Sequence, residues 1–306
     1  MKIYINPKSI GTSNFEYLKN QIPNAIFIAN EEEAYLAEVV VIMPDFFRHH
    51  DIKQFKSLKW VQLLMAGYDN FDFSIFVGKD IIVSNAVDVF SVSIAEDVIT
   101  KILVINRNVK HYVNNMYLGE WNPIRKEPEL TGSTVGIVGA GSIGIEVAKR
   151  LKSFDTKVIG YKRKAEAVRF FDEIYTGNEG LEIVIRESDY LIIAVPLTKE
   201  TMHLINKERI SWMKPNSVII NVARGKIVDQ DALVDALNAG KIRGAGLDVT
   251  TPEPLPKEHP LWKMSQVFIT PHNASSSPFM QRRLMELVLH NLERYVNNNT
   301  VDYIIF

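Results

Sequence analysis

Short apolar runs at 3–5, 25–28, 39–43, 60–64 and 81–83 alternate with polar, helix-like stretches from Met1 to about Ile99. This is βαβ rhythm, and it predicts a parallel sheet. From Ser91 the period changes, with Ala95, Val98, Ile99, Ile102 and Leu103 falling on one face of a long helix. Further apolar runs at 134–138, 157–161, 189–193, 217–221, 244–247 and 267–269, with helical stretches between them, predict a second doubly wound sheet. After Pro278 the residues Met280, Leu284, Leu287, Val288, Leu292 and Tyr295 come into helical register, and this last helix is expected to return to the first domain. The predicted fold is therefore α/β, with two doubly wound parallel-sheet domains crossed by helices and an interdomain cleft.

The stretch that organises the second sheet is GSTVGIVGAGSIGIEVAKRLKSFDTKVIGYKRK, residues 132–164. A β-branched strand turns through Gly139, Gly141 and Gly144 into a helix whose apolar positions are Ile143, Val147, Leu151 and Phe154, and a second strand follows. In this context the three glycines serve different ends: the first allows a tight turn, the second lets a pyrophosphate approach the backbone, and the third lets helix pack closely on strand. The free N–H groups at the helix start, around Ser142 and Ile143, and the positive end of its dipole favour a diphosphate. The segment thus reads as a Rossmann dinucleotide site, in a domain spanning 100–274. The remainder, 1–99 with 275–306, is expected to form a second, flavodoxin-like domain, the one that would carry the substrate loop. Where the second strand ends, an NAD site would carry an acid for the ribose 2′-hydroxyl, but this chain has Lys162, Arg163 and Lys164. Arg163 is the best reader of a 2′-phosphate, with Lys162 adding charge, so NADP(H) is the expected cofactor and NAD(H) the alternative.

Three stretches follow strands of this sheet: NVARGKIVD at 221–229, DVTTPEPLP at 248–256 and TPHNAS at 270–275. Each puts a reactive side chain beyond a carboxyl end, the edge where open α/β sheets bind ligands. Arg224 offers a fork for a carboxylate, His272 a proton near neutral pH, and Glu253 a partner that orients the imidazole and favours its charged form.

Composition narrows the choices. The 306 residues carry a net charge of −1 without a Lys/Arg stripe, which argues against nucleic acid as a partner. There is no cysteine, which removes disulfides, thiolate nucleophiles and Cys-ligated metals. The N-terminus reads as a strand and turn rather than a signal peptide, and 39–43 is far too short to span a bilayer, so the expectation is a cytoplasmic protein away from membranes. His49, His50 and Asp51 are loop neighbours and do not make a metal site, so no metal is expected. Gly141-Ser142-Ile143-Gly144 lacks the spacing of a nucleophile elbow, which excludes a serine hydrolase. Phe46 and Phe47 are kept as substrate-side candidates.

The chain resembles the D-isomer-specific 2-hydroxyacid dehydrogenase family over nearly its whole length, in its glyoxylate/hydroxypyruvate reductase-like, NADP-type branch. The resemblance is carried by VGIVGAGSIGIEVAKRL, LTKETMHLIN, INVARGKIVDQDAL, GAGLDVTTPEPLP and ITPHNAS. It implies reduction of a small 2-oxoacid to the D-2-hydroxy acid by hydride from a nicotinamide. Arg224 would bind and polarise substrate, His272 donate the proton, and Glu253 pair with His272. It implies that the backbone of the LMAGY loop, Met65, Ala66 and Gly67, holds the substrate carboxylate. Asp248 would lie near the nicotinamide carboxamide, and Pro196 joins the cofactor set. Family members are commonly dimers through the nucleotide domain, so a homodimer is expected. Two positions depart from the pattern: the basic cluster 162–164 replaces the usual acid, and Ser275 replaces the usual glycine. The rival is a non-catalytic dinucleotide sensor, as the C-terminal-binding corepressors resemble, which would need an added partner-binding tail; here few residues follow the last helix before Phe306. Formate dehydrogenases usually have Gln where Glu253 stands, and phosphoglycerate dehydrogenases often carry a regulatory domain not seen here.

Overall fold

The first sheet has five parallel strands, β1 (Lys2–Ile5), β2 (Ile26–Ile28), β3 (Val39–Ile42), β4 (Trp60–Leu63) and β5 (Ile82–Ser84), in the order β2-β1-β3-β4-β5. Alternate residues feed two separate cores. Ile3, Ile5, Val39, Val41 and Trp60 enter one, while Tyr4, Val40, Ile42, Val61 and Leu63 enter the other. That explains why these strands read as unbroken apolar runs: both faces of the sheet are covered. Helices α1 (Pro7–Ile10) and α2 (Thr12–Gln21) follow β1. The computed structural model describes residues 1–69 and 71–306.

The second sheet has seven parallel strands: β6 (Thr134–Val138), β7 (Lys157–Tyr161), β8 (Glu173–Tyr175), β9 (Tyr190–Ile193), β10 (Val218–Asn221), β11 (Gly244–Leu247) and β12 (Val267–Ile269). Their order, β12-β11-β10-β9-β6-β7-β8, reverses direction between β6 and β9, and such a switch point is where doubly wound sheets open a crevice. Helices α3 (Ser91–Asn106), α4 (Val109–Leu118), α5 (Ser142–Leu151), α6 (Gly177–Glu187), α7 (Lys207–Trp212) and α8 (Gln230–Asn238) belong to this unit. Helix α9 (Met280–Val296) returns to the first, burying Leu284, Met285, Val288 and Leu292 in the core that holds Ile3 and Trp60.

The units comprise Met1–Phe90 with Ser277–Phe306, and Ser91–Ser276. The first division falls at 90/91 rather than 99/100 because α3 packs along its length on α5, β10, β11 and β12. Strand β8 has no counterpart in the hydrophobic pattern. Its residues, Glu-Ile-Tyr, are too few and too polar to stand out, and pairing with β7 fixes them. Phe46 and Phe47 pack with each other and with Phe55, within a core cluster rather than as an open pocket wall. His50 stacks on Phe46, its ring centroid 4.0 Å away. Among the described residues no group of three His, Asp or Glu side chains could hold a metal, and no helix is long and apolar enough to cross a membrane.

Candidate active site

Gly139 follows β6 with φ +114°, and a Cβ there would lie 2.5 Å from the carbonyl oxygen of Ala194, just beyond β9. A Cβ on Gly144 would lie 2.2 Å from the carbonyl oxygen of Gly139. Only glycine allows the turn and the helix to approach this closely. The N–H groups of Gly139 and Ala140 donate to the Tyr161 carbonyl at 2.9 and 3.3 Å, tying the turn to the end of β7. At Gly141, by contrast, an added Cβ would meet nothing within 4 Å. The backbone there is open above the first turn of α5, whose leading N–H groups have no intrahelical acceptor. An open backbone beside such donors fits the pyrophosphate of a dinucleotide. Ser142 begins α5, its hydroxyl bonded to that of Ser91 at the start of α3, and Ile143 is half-buried behind it.

Lys162 leaves β7 with its N–H on the Tyr175 carbonyl at 3.1 Å, so the edge strand β8 sets its position. Its ammonium pairs with Glu166, and that contact pulls the Glu166 carboxyl down from its ordinary value. Arg163 is exposed. Glu200 stands close enough to feel it: chiefly the Thr198 hydroxyl, and more weakly Arg163, lowers the Glu200 carboxyl. The basic cluster is therefore bordered by acids. Pro196, exposed after β9, accepts the Thr201 hydroxyl on its carbonyl at 2.7 Å.

On the same edge of the sheet stand the ends of β10, β11 and β12. Arg224 follows β10, half-buried, with its carbonyl accepting from Asn221 Nδ2 at 3.0 Å and its Nη1 donating to the Ala223 carbonyl at 2.7 Å. Beyond β11, Glu253 folds back so that Oε1 accepts the Thr250 N–H at 3.0 Å. Its Oε2 lies 2.8 Å from Nδ1 of His272, which follows β12. An ionised carboxylate only accepts, so Nδ1 carries the proton and Nε2 faces away from the pair. The contact is well exposed, the two side chains retaining 47% and 38% of their free surface. His272 has φ +50°, in the left-handed region. Asp248 holds it there. The Asp248 carbonyl accepts the His272 N–H at 2.8 Å, while its buried carboxylate accepts the N–H groups of Asn273 and Ala274 at 3.0 and 3.1 Å. Ser275, the departure from the family pattern, accepts the Ser93 hydroxyl on its carbonyl at 3.1 Å.

Met65, Ala66 and Gly67 belong to the first unit, in the loop after β4. The N–H of Ala86 holds the Met65 carbonyl at 3.1 Å and Asn85 Nδ2 holds that of Ala66 at 2.7 Å. Asn85, Asn221, Thr250 and Thr270 are the supporting residues that sequence reasoning missed, since polar residues after strands look like any loop. Lys101 left a clearer signal, a lysine among the apolar positions of α3.

A glycine turn at the switch point of a doubly wound sheet puts the chain among the nucleotide-binding α/β proteins. The NAD binding domain of D-isomer specific 2-hydroxyacid dehydrogenases, as a family model, matches residues 99–274. A glyoxylate reductase of Pyrococcus horikoshii is 36% identical over 284 residues, covering 90% of this chain and 83% of that protein. One from Thermofilum pendens is 39% identical over 243 residues, covering 77% and 71%. Among solved structures, a D-isomer specific 2-hydroxyacid dehydrogenase family protein of Aeromonas salmonicida superposes with a TM-score of 0.84 at 26% identity, covering 100% of this chain and 98% of that one. An NADPH-dependent glyoxylate/hydroxypyruvate reductase of Sinorhizobium meliloti, in complex with NADP and sulfate, gives 0.81 at 25% identity, covering 99% and 98%. The chain belongs to the D-isomer-specific 2-hydroxyacid dehydrogenase family. It is an NAD(P)-dependent oxidoreductase for 2-oxoacid reduction, and the sensor reading gives way to that.

Proposed function

We propose that this chain reduces a small 2-oxoacid to the D-2-hydroxy acid with NADPH, using His272 as proton donor, Glu253 to orient it and Arg224 to hold and polarise the substrate. The observation that carries the reading is the 2.8 Å contact of His272 Nδ1 with a carboxylate oxygen of Glu253, whose other oxygen is fixed by a backbone N–H. A carboxylate held at both oxygens sets the ring's tautomer and leaves Nε2 to give its proton to the substrate oxygen. Bound nicotinamide would supply the hydride to the carbonyl carbon. Arg224 would bind the carboxylate of the 2-oxoacid through its fork and stabilise charge as it develops on the carbonyl oxygen. The backbone of Met65, Ala66 and Gly67 is assigned to the same carboxylate. Gly139, Gly141, Ser142, Ile143 and Gly144 are assigned to the pyrophosphate, Arg163 to the 2′-phosphate, and Pro196 and Asp248 to the nicotinamide end. The glyoxylate reductases among its relatives support a substrate as small as glyoxylate.

The test is a spectrophotometric screen of 2-oxoacids with NADPH and NADH. Oxidation of NADPH by glyoxylate or hydroxypyruvate, faster than that of NADH, is expected; failure of every 2-oxoacid with both cofactors would overturn the proposal.

A homodimer through the nucleotide unit is part of the same reading. Met116, Tyr117, Leu118 and Trp121 stand 80%, 86%, 70% and 97% exposed on α4 and the segment after it, an apolar cluster of the kind that marks an interface. Light scattering should give twice the chain's 34.8 kDa for the wild type and a smaller mass for Trp121→Asp; a wild-type monomer would refute it.

A further inference from the structure

Lys101 is fully buried in the middle of α3, a position that apolar packing would ordinarily fill. Its ammonium pairs with Asp97 one turn earlier on the same helix and donates to the Thr270 hydroxyl at 2.7 Å. That hydroxyl in turn donates to Asp248 Oδ1 at 2.6 Å. Asp248 then takes the backbone N–H groups of His272, Asn273 and Ala274 on its carbonyl and carboxylate oxygens. A continuous polar chain thus runs from the core of α3 to the backbone on either side of His272.

The charges in this chain explain why a lysine is tolerated. One carboxylate, Asp97, pairs with the ammonium directly, and a second, Asp248, is linked to it through the Thr270 hydroxyl. Burial pushes the Asp97 carboxyl up from its ordinary value, Lys101 opposes the shift, and the charge of Asp248 adds to it. Asp97 and Asp248 therefore sense each other, and without Lys101 the largely buried Asp97 carboxylate would lose its cation while Asp248 would keep only its hydroxyl and backbone N–H donors. His272 needs firm support because its φ of +50° is a conformation that a histidine keeps only when its surroundings impose it. The supports come from Asp248, and Asp248 is steered by Thr270 and Lys101.

We propose that Lys101, with Asp97 and Thr270, is a positioning set that holds Asp248 and the 270–274 loop so that the His272 imidazole stays in its working orientation. The inference rests on the reading of His272 as proton donor. It concerns how the ring is held rather than whether it reacts.

The test uses the full chain with NADPH and glyoxylate, and compares Thr270→Val, Thr270→Ser, Lys101→Met and the double variant Lys101→Met/Thr270→Val. Thr270→Val keeps the shape but removes the hydroxyl link, and it should lower kcat about tenfold or more, the scale of effect that small misplacements produce. Thr270→Ser restores the hydroxyl and should recover most of that loss. NADPH affinity without substrate should fall less than kcat does, since the glycine turn is untouched and only the Asp248 end of the cofactor set is disturbed. Lys101→Met should mimic Thr270→Val, and the double variant should lose no more than the worse single one, as members of one chain do. Ring ¹⁵N spectra of histidine-labelled protein, with His272 assigned by difference from His272→Ala, should show the tautomer that Glu253 fixes becoming mixed in Thr270→Val and Lys101→Met, as the displaced ring leaves that carboxylate. Thr270→Val with wild-type kcat and unchanged His272 ring signals would overturn the inference. If Lys101→Met does not fold, the two Thr270 variants decide alone, because Thr270→Val cuts the same chain one hydroxyl further on and Thr270→Ser restores it. A His272→Ala variant of wild-type activity would sink the catalytic reading instead, while the ring spectra would still report whether this set holds the imidazole.

Discussion

The glycine turn and the His272 edge lie on the same rim of one sheet but are made of different material. The turn is backbone. Its specificity is a matter of absent atoms: a Cβ at Gly139 or Gly144 would fall within 2.5 Å of a carbonyl oxygen, and at Gly141 it would enter open space. The His272 edge is made of side chains brought from separate strand ends, with Arg224 after β10, Glu253 after β11 and His272 after β12. Its accuracy rests on polar contacts such as Glu253 with the Thr250 N–H and Asp248 with the Asn273 and Ala274 N–H groups. A site built from missing atoms is rigid because the helix and strand it joins are rigid. A site built from side chains needs a supporting layer, and here that layer extends into α3.

If the two regions have separate roles, mutations should separate them. The largest effect is expected for His272→Ala, about 100-fold or more in turnover for a lost general acid, with NADPH affinity nearly unchanged. Gly144→Ala should act the other way round. Its methyl group has backbone as its nearest neighbour, 2.2 Å away, so the turn must shift at a cost of about 1–3 kcal/mol for overpacking. That cost should be divided between a lower melting temperature and weaker NADPH binding, as fluorescence titration would read it. Weaker cofactor binding in His272→Ala matching its loss of turnover would show that the regions are one unit.

The same difference decides what is legible in the sequence. The dinucleotide turn lies within one unbroken stretch, 132–164, where strand, glycines and helix can be read in a single pass. Arg224, Glu253 and His272 are legible as candidates because each follows an apolar run that becomes a strand. The contact that joins Glu253 to His272 is not legible in the same way: the two stand 19 positions apart and meet only because β11 and β12 are neighbours. Lys101 and Thr270 are separated by 169 positions, so their hydrogen bond has no local signature beyond a charge on the apolar face of α3. Strand β8 is obscured for a different reason. It is held by its pairing with β7 rather than by burial of its own side chains, and hydrophobic periodicity reports burial.

The smallest expected effect lies at the third corner of the rim, where side chains again do the reading but on an open surface. Lys162 is engaged with Glu166, which leaves Arg163 as the group whose planar fork suits a 2′-phosphate. A charge-assisted hydrogen bond contributes about 1.5–3 kcal/mol, and exposure of Arg163 to water puts this one at the low end, near a tenfold preference for NADPH over NADH. Arg163→Ala should remove most of that preference and leave kcat/KM with NADH almost unchanged. Glu166→Gln should move it in the opposite direction, since it frees the Lys162 ammonium and removes a carboxylate that repels phosphate. Measuring kcat/KM for both cofactors in the wild type and these two variants checks the assignment. A wild type that prefers NADH, or an Arg163→Ala variant harmed equally with both cofactors, would mean that this cluster does not read the phosphate and that the rim has two functional corners rather than three.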